Sequence, residues 1–303
     1  MKVKADLEAI TDVNSVLCQQ AMSRYTSFQV GGPAEYLVMP RDYSQVAQII
    51  TYCNENGLKW YVMGKGTNLL VSDSGLEGVV MVLEANLAEV RVADTLIVAQ
   101  AGASLPRVSS IARANCLTGL EFASGIPGTV GGAVVMNAGA YGGEMKDVVR
   151  RVLAVTPQGE FVTYCGGELE MGYRSSIFQS NGNVVLEVEM ELAPGDCDEI
   201  AAKMQEYTRR RKEKQPLDKP SAGSTFRRPP GHYAGQLIES CQLRGERLGG
   251  AAVSEKHCGF IVNENKASAQ DIYDLITLVK AKVKAKHDVD LQTEVKIWGK
   301  FKD

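Results

Sequence analysis

Apolar residues at Val46, Ile49, Ile50 and Cys53 recur at steps of three and four, the spacing that gathers side chains on one helix face. Asp42 and Gln45 stand before them as a capping box and Gly57 follows as a stop, so the pattern predicts a helix between these signals. A longer stripe, Ile272, Leu275, Ile276, Val279 and Val283, predicts a second helix starting at Ser268, with Asp271 completing its cap. Further helices are expected over 104–116, 130–136, 196–214 and 234–241. Alternating or β-branched runs predict strands over 60–63, 79–83, 89–92, 96–99, 148–155, 160–164, 184–192, 224–226, 259–263 and 291–298. Two short strands are expected within 26–39, around Gly31-Gly32-Pro33, and a hairpin across Thr156-Pro157-Gln158-Gly159. The pattern is that of an α+β chain with mixed or antiparallel sheet. The segment QPLDKPSAG, carrying Pro216 and Pro220, marks a linker and a domain boundary.

Two loops break this regular pattern. The stretch GLEFASGIPGTVGGAVVMNAGAYGGE, from Gly119 to Glu144, holds eight glycines, a density that costs conformational entropy on folding. Gly125-Ile126-Pro127-Gly128 reads as a rigid turn, and Thr129 as the cap of a short apolar helix whose first N–H groups point back into that turn. Two readings stay open: a close-packed glycine-rich core turn, or backbone that meets a flat or anionic group. The second loop, Gly64-Lys65-Gly66-Thr67-Asn68-Leu69, follows a strand. Its lysine precedes the second glycine, so it is no Walker loop, and it lacks the last glycine of a dinucleotide fingerprint. It reads either as an ordinary strand-ending turn or as a nest of N–H groups suited to a pyrophosphate.

Composition narrows the classes. With 303 residues the chain is large enough for two or three domains. Its net charge of -3 argues against nucleic acid as the main partner. No signal peptide, membrane span or obligate protein partner is expected. Seven scattered cysteines, odd in number and without a C-x-x-C pair, predict reduced thiols in a cytoplasmic protein. Three histidines without clustered ligands predict no metal site. The basic run Arg209-Arg210-Arg211-Lys212 reads as a solvated helix end favoured by the helix dipole, with phosphate binding as the other reading.

Taken in order, the blocks YTSFQVGGPAEY, VMGKGTNLLVSDSG, GLEFASGIPGTVGGAVVMNAGAYGGE, GYRSSIF, PSAGSTFRRPPG, YAGQLIE, GGAAVSEKHCGFIVN and LQTEVKIWG make the chain resemble the bacterial UDP-N-acetylenolpyruvoylglucosamine reductases, flavoenzymes of peptidoglycan precursor synthesis. The resemblance runs from about Tyr25 to Gly299. It implies the two-part FAD-binding fold of the vanillyl-alcohol-oxidase (PCMH) type plus a C-terminal α+β substrate domain, in the form lacking an extra tyrosine-bearing loop. The partition it implies is 1–75 and 76–205 for the two FAD-binding subdomains (FAD-binding region about 24–194) and 206–303 for the substrate domain. It further implies FAD as cofactor, NADPH as hydride donor, and the enolpyruvyl ether of UDP-N-acetylglucosamine as substrate. A different FAD-dependent oxidoreductase of the same fold, acting on an alcohol or sugar, is the alternative, and a non-catalytic nucleotide-binding module is a rival of another class.

Residue by residue, the resemblance makes Arg174 the cation on the substrate carboxylate, Ser224 the proton donor, and Glu294 the acidic partner. To help an enolate, Glu294 would have to carry or share a proton. For FAD it implies Gly64, Lys65, Gly66, Thr67, Asn68, Leu69, Gly125, Ile126, Pro127, Gly128, Thr129, Gly131, Gly132, Asn137, Gly139, Ala140 and Tyr141. For substrate it implies Tyr173, Arg174, Gly223, Arg227, Arg228 and Tyr233. The chain departs from the family at Arg227-Arg228, where Lys-Asn is common, and at Cys258-Gly259 beside His257.

Overall fold

The computed structural model describes residues 2–302. The chain forms two compact units, each assembled from several stretches: unit 1 from 1–18, 36–65 and 77–211, and unit 2 from 19–35, 66–76 and 212–303.

Unit 1 is built on a five-stranded antiparallel sheet ordered Phe161–Cys165, Val149–Val155, Val184–Glu191, Leu96–Gln100, Val90–Ala93. Val152, Ala154, Val188, Met190, Ile97 and Ala99 are all fully buried, as alternation along half-buried strands requires. The short helix Val130–Val135 packs on this sheet. A second sheet, of four strands, is ordered Val16–Ala21, Pro33–Val38, Leu76–Val82, Trp60–Met63, with the last two parallel. Leu76–Val82 is buried at six of its seven positions, the pattern of a strand covered on both faces. The helix Tyr43–Glu55 buries Val46, Ala47, Ile49, Ile50 and Cys53, the expected stripe, and the Asp42 carboxylate caps it by accepting from Gln45 N–H at 2.8 Å.

Unit 2 centres on the helix Ala269–His287, which packs through Ile272, Leu275, Ile276, Val279 and Val283 into the core beside a three-stranded antiparallel sheet, Arg247–Leu248, Ala251–Val253, Ile261–Asn263. Its capping box is complete: Asp271 N–H donates to Ser268 Oγ and Ser268 N–H to the Asp271 carboxylate, each at 3.0 Å. The Asp73 carboxylate adds a second anion at this positive helix end, accepting from the Ala269 and Gln270 N–H groups. Leu69–Val71 pairs in parallel with Lys296–Trp298, and Phe28, Leu70 and Phe226 fill the core.

Several expectations need correction. Within 26–39 only Pro33–Val38 is a strand. The chain before it is held as a turn, in which Gly31 (φ +121°) has Met22 and Val71 side-chain carbons 3.0 Å from where a Cβ would sit. The expected strand at 224–226 is a single bridge between Phe226 and Thr293. Two of the seven cysteines are not thiols: Cys116 and Cys197 form a disulfide across a sequence separation of 81. Cys116, at φ +52°, turns the chain out of the helix Leu105–Ala114 into a short pairing of Leu117–Thr118 with Ala193–Pro194. Gly195 N–H donates to Cys116 O at 2.8 Å, which brings the two sulfurs together. Among the described residues no helix is long and apolar enough to cross a membrane, and no cluster of three or more potential metal ligands occurs.

Candidate active site

In unit 1 the two loops singled out by their glycines meet. A Cβ on Gly64 would lie 2.2 Å from Thr129 Oγ1 and 2.7 Å from its Cγ2, so only glycine lets the strand-ending loop close on the head of the glycine-rich stretch. Thr129 caps the helix as expected, its Oγ1 accepting from Gly132 N–H at 3.4 Å. Of the two readings left open for this stretch, the first N–H groups of the helix follow the close-packed one. Val130 N–H donates to Ala103 O and Gly131 N–H to Ala101 O, because Gly131 packs its bare Cα against Ala101. The free donors lie one step earlier: among the described residues, the N–H groups of Gly125, Gly128 and Thr129 find no acceptor. The same holds for Gly64 and Lys65 in unit 1, and for Gly66 and Asn68 in unit 2. Such donors suit phosphate oxygens, so the residues present fit a dinucleotide cofactor. The Lys65 ammonium is already engaged, 3.3 Å from Glu84 and 3.5 Å from Ser104 Oγ.

Asn137, fully buried at φ +39°, is a clamp. Its Nδ2 donates to Glu144 at 2.9 Å and to Gly172 O at 2.8 Å, and its Oδ1 accepts from Lys146 N–H at 2.9 Å. It thereby ties the glycine stretch to the turn bearing Tyr173 and Arg174. That turn is closed by reciprocal Gly172–Ser175 backbone bonds and carries Arg174 at φ +52°, a strained setting for a non-glycine residue. Gln179 holds it further, donating to Arg174 O and Val135 O. Arg174 Nη2 donates to Gly139 O at 3.1 Å and its guanidinium lies 5.4 Å from the Tyr173 ring centroid. Tyr173 itself is half exposed. Tyr141 stacks on Tyr207, ring centroids 4.4 Å apart. Gly139 is glycine for packing, since a Cβ would meet Gly143 O at 2.6 Å.

In unit 2 the AGSTF segment lies against the closing strand. Glu294 N–H donates to Thr225 O at 2.8 Å and Arg227 N–H to Gln292 O at 2.9 Å, so Ser224 sits one residue from the carbonyl that holds Glu294. Asn68 Nδ2 donates to Glu294 O at 3.1 Å, and Lys296 N–H to Asn68 O at 2.9 Å. Thr225 is buried and anchors the segment: its N–H donates to Gly259 O and its Oγ1 accepts from Ile261 N–H. His257, left without a role by the sequence, accepts the Gly259 N–H on Nδ1, and burial draws its pKa below the ordinary histidine value. Gly223, at φ +76° with open space beside it, leads into half-buried Ser224.

Arg228 and Tyr233, both expected at substrate, stack on each other at 3.9 Å from guanidinium to ring centroid. Arg227 goes elsewhere. It lines a cleft of about 470 Å³ with Lys280, Asp290, Leu291, Gln292 and Thr293, and its Nε is buried without a partner among the described residues. Sequence reasoning missed the roles of Gln179 and Glu144. Gln179 acts through a bond to Val135 O, 44 residues away, and Glu144 through the side chain of Asn137, whose inward turn no spacing announces.

The model of the UDP-N-acetylenolpyruvoylglucosamine reductase C-terminal domain matches residues 215–298, and that of an FAD binding domain matches 34–164. The chain is 45% identical over 293 residues to the UDP-N-acetylenolpyruvoylglucosamine reductase of Clostridium kluyveri, covering 97% of this chain and 96% of that one. It is 47% identical to the same-named protein of Caldanaerobacter subterraneus subsp. tengcongensis, covering 97% of each. The crystal structure of the reductase from Thermus caldophilus superposes with a TM-score of 0.79 at 34% identity, over 93% of this chain and 98% of that one. A solved glucose dehydrogenase, 13% identical, shares the fold alone, with a TM-score of 0.51 over 65% of this chain and 45% of that one. Carrying an FAD-binding fold of the vanillyl-alcohol-oxidase type and an α+β C-terminal domain, the chain belongs to the UDP-N-acetylenolpyruvoylglucosamine reductase family.

Proposed function

We propose that this protein is an FAD-dependent reductase that converts the enolpyruvyl ether of UDP-N-acetylglucosamine to UDP-N-acetylmuramate with NADPH, in the cytoplasm. The flavin, when bound, supplies the hydride that reaches the terminal vinyl carbon. Negative charge then gathers on the adjacent carbon and spreads into the carboxylate. Arg174, preset by its strained turn, offers a guanidinium to that carboxylate, and its planar fork suits bidentate contact. Ser224 gives its hydroxyl proton to the carbon, completing addition of H⁻ and H⁺ across the double bond. Glu294 partners the developing enolate, while Tyr173, Gly223, Arg228 and Tyr233 contact the UDP-sugar. On this reading the flavin lies along residues 64–69 and 125–141, and residues 206–303 form the substrate domain.

The observation that carries the reading is the Glu294–Thr225 backbone bond, which joins the segments bearing Ser224 and Glu294 although these two are 70 positions apart in sequence. The test is an anaerobic visible spectrum. The protein's flavin bands should bleach with NADPH and return on adding the enolpyruvyl UDP-sugar. Ser224→Ala should bleach normally yet return about 10²–10⁴ times more slowly. Bands that stay bleached in the unsubstituted protein would assign it to another flavin oxidoreductase, and a protein that takes up no FAD would end the proposal.

A further inference from the structure

The helix Cys197–Lys214 lays one face along the glycine-rich stretch, through residues four apart. Lys203 stands near the Glu121 carboxylate, and Tyr207 stacks on Tyr141 and accepts the Tyr141 hydroxyl on its carbonyl at 3.1 Å. Arg211, the next in this row, lies on Gly125: its Cδ is 3.2 Å and its Nη1 3.5 Å from where a Cβ of that glycine would be. The first two members are met by a charge or a ring. Arg211 is not. Among the described residues it makes no hydrogen bond and no ion pair, and Tyr141 is the one side chain that acts on its charge. Burial draws its pKa below the ordinary arginine value, opposed by Tyr141.

Its two neighbours behave differently. Arg209 and Arg210 are exposed and both pair with Glu206, at 2.8 and 2.6 Å, as a solvated helix end would. The basic run is thus two surface arginines and one turned inward. A half-buried guanidinium without a counter-ion is costly, and among the described residues no protein acceptor meets its N–H donors. The turn beneath it has the same shortfall, since Gly125, Gly128 and Thr129 hold N–H groups without acceptors. One cation and three backbone donors within a single turn await one kind of partner, an oxyanion with several acceptor oxygens.

We propose that Arg211 is the counter-cation of a phosphate group bound at the Gly125–Gly128 turn, supplied by the diphosphate of the flavin cofactor. The inference rests on the FAD-reductase reading and adds a binding residue to it. The other source of the same chemistry is the diphosphate of the UDP-sugar, and the two are separable by binding.

The test uses protein stripped of flavin, with Arg211→Met and Arg211→Lys. FAD binding is read from quenching of flavin fluorescence, and UDP binding from calorimetry. The expected result is a dissociation constant for FAD raised about 10- to 100-fold in Arg211→Met, partly restored in Arg211→Lys, with UDP binding unchanged. Melting of the flavin-free Arg211→Met protein should be no lower than that of the unsubstituted protein, because the substitution removes an uncompensated charge. Unchanged FAD binding with UDP binding weakened to that extent would keep the phosphate site and assign it to the substrate. FAD and UDP binding both unchanged in Arg211→Met would overturn the proposal, and if that variant does not fold, both unchanged in Arg211→Gln, which also removes the charge, would do so. An unsubstituted protein that binds no FAD would instead defeat the functional reading on which this one stands.

Discussion

Gly64→Ala tests the contact that joins the two special loops. Gly64 has no left-handed backbone strain, so alanine is excluded there by space alone: its Cβ would lie 2.2, 2.7 and 3.0 Å from Oγ1, Cγ2 and Cβ of Thr129. Forcing a methyl into packed surroundings costs about 1–3 kcal/mol. Thr129→Ala loses a helix cap, worth about 1 kcal/mol, but leaves only the Cβ contact at 3.0 Å, which a small shift of the loop relieves. The double variant should therefore be destabilised less than the sum of the singles, by about 1 kcal/mol or more. The protein has two tryptophans, Trp60 in unit 1 and Trp298 in unit 2. A Trp298→Phe background leaves Trp60, in the strand leading into Gly64, as the reporter in urea unfolding. Additivity within about 0.3–0.5 kcal/mol would show that Thr129 does not fill the space beside Gly64, and the reasoning would fail.

Other consequences are open to direct measurement. Asn137→Ala should destabilise unit 1 by about 1–3 kcal/mol, since it strands Lys146 N–H and leaves Gly172 O with the Ser175 bond alone; it should also slow substrate reduction more than flavin reduction, because the Arg174 turn loses its tether. Reducing the Cys116–Cys197 disulfide should lower stability by about 4.5 kcal/mol on the loop-closure account for a separation of 81; melting with and without dithiol, compared with Cys116→Ser, checks this, and seven thiols found by alkylation of the untreated protein would refute it. The Glu264 carboxyl, hydrogen-bonded first by Arg247 and then by Lys219, is held at about 2 against an ordinary 4.5. Its contribution is therefore present above pH 4.5 and lost as pH falls from there towards about 2. Glu264→Gln should flatten the acid side of the melting profile of unit 2, read from Trp298 in a Trp60→Phe background, and an unaltered profile would contradict it.

The helices and the long antiparallel strands were legible because their periodicity is local. The Tyr43–Glu55 stripe and the Ser268–Asp271 box appear in the structure as the residues predict. What escaped is what depends on distant chain. Val16–Ala21 is a strand whose residues lack clean alternation, and Arg247–Leu248 with Ala251–Val253 forms a hairpin too short to show a period. No spacing rule couples Cys116 to Cys197, because the loops that join them are fixed by sheet pairing elsewhere. At the site, the importance of Gly64 and Thr129 could be suspected separately, but not that each occupies the other's space. In the basic run, Arg211 differs from Arg209 and Arg210 only by its angle around the helix, and the direction of that angle needs the packed partner to be seen.

The chain enters and leaves each compact unit repeatedly, and this has a consequence during synthesis. Residues 19–35 and 66–76 belong with 212–303, so they emerge from the ribosome long before the segments they pair with. Leu69–Val71 must wait for Lys296–Trp298, and Phe28 for the core around Phe226. At about 5–20 residues per second, that interval is roughly 10–45 s, during which two early strips stay uncommitted while 77–211 can already collapse with 36–65. Unit 1 can thus mature on the nascent chain, whereas unit 2 closes only once Lys296–Trp298 have been made. A truncation that removes Lys296–Trp298 should release a protein whose early strips are exposed to chaperones and proteases rather than a shorter version of the native one.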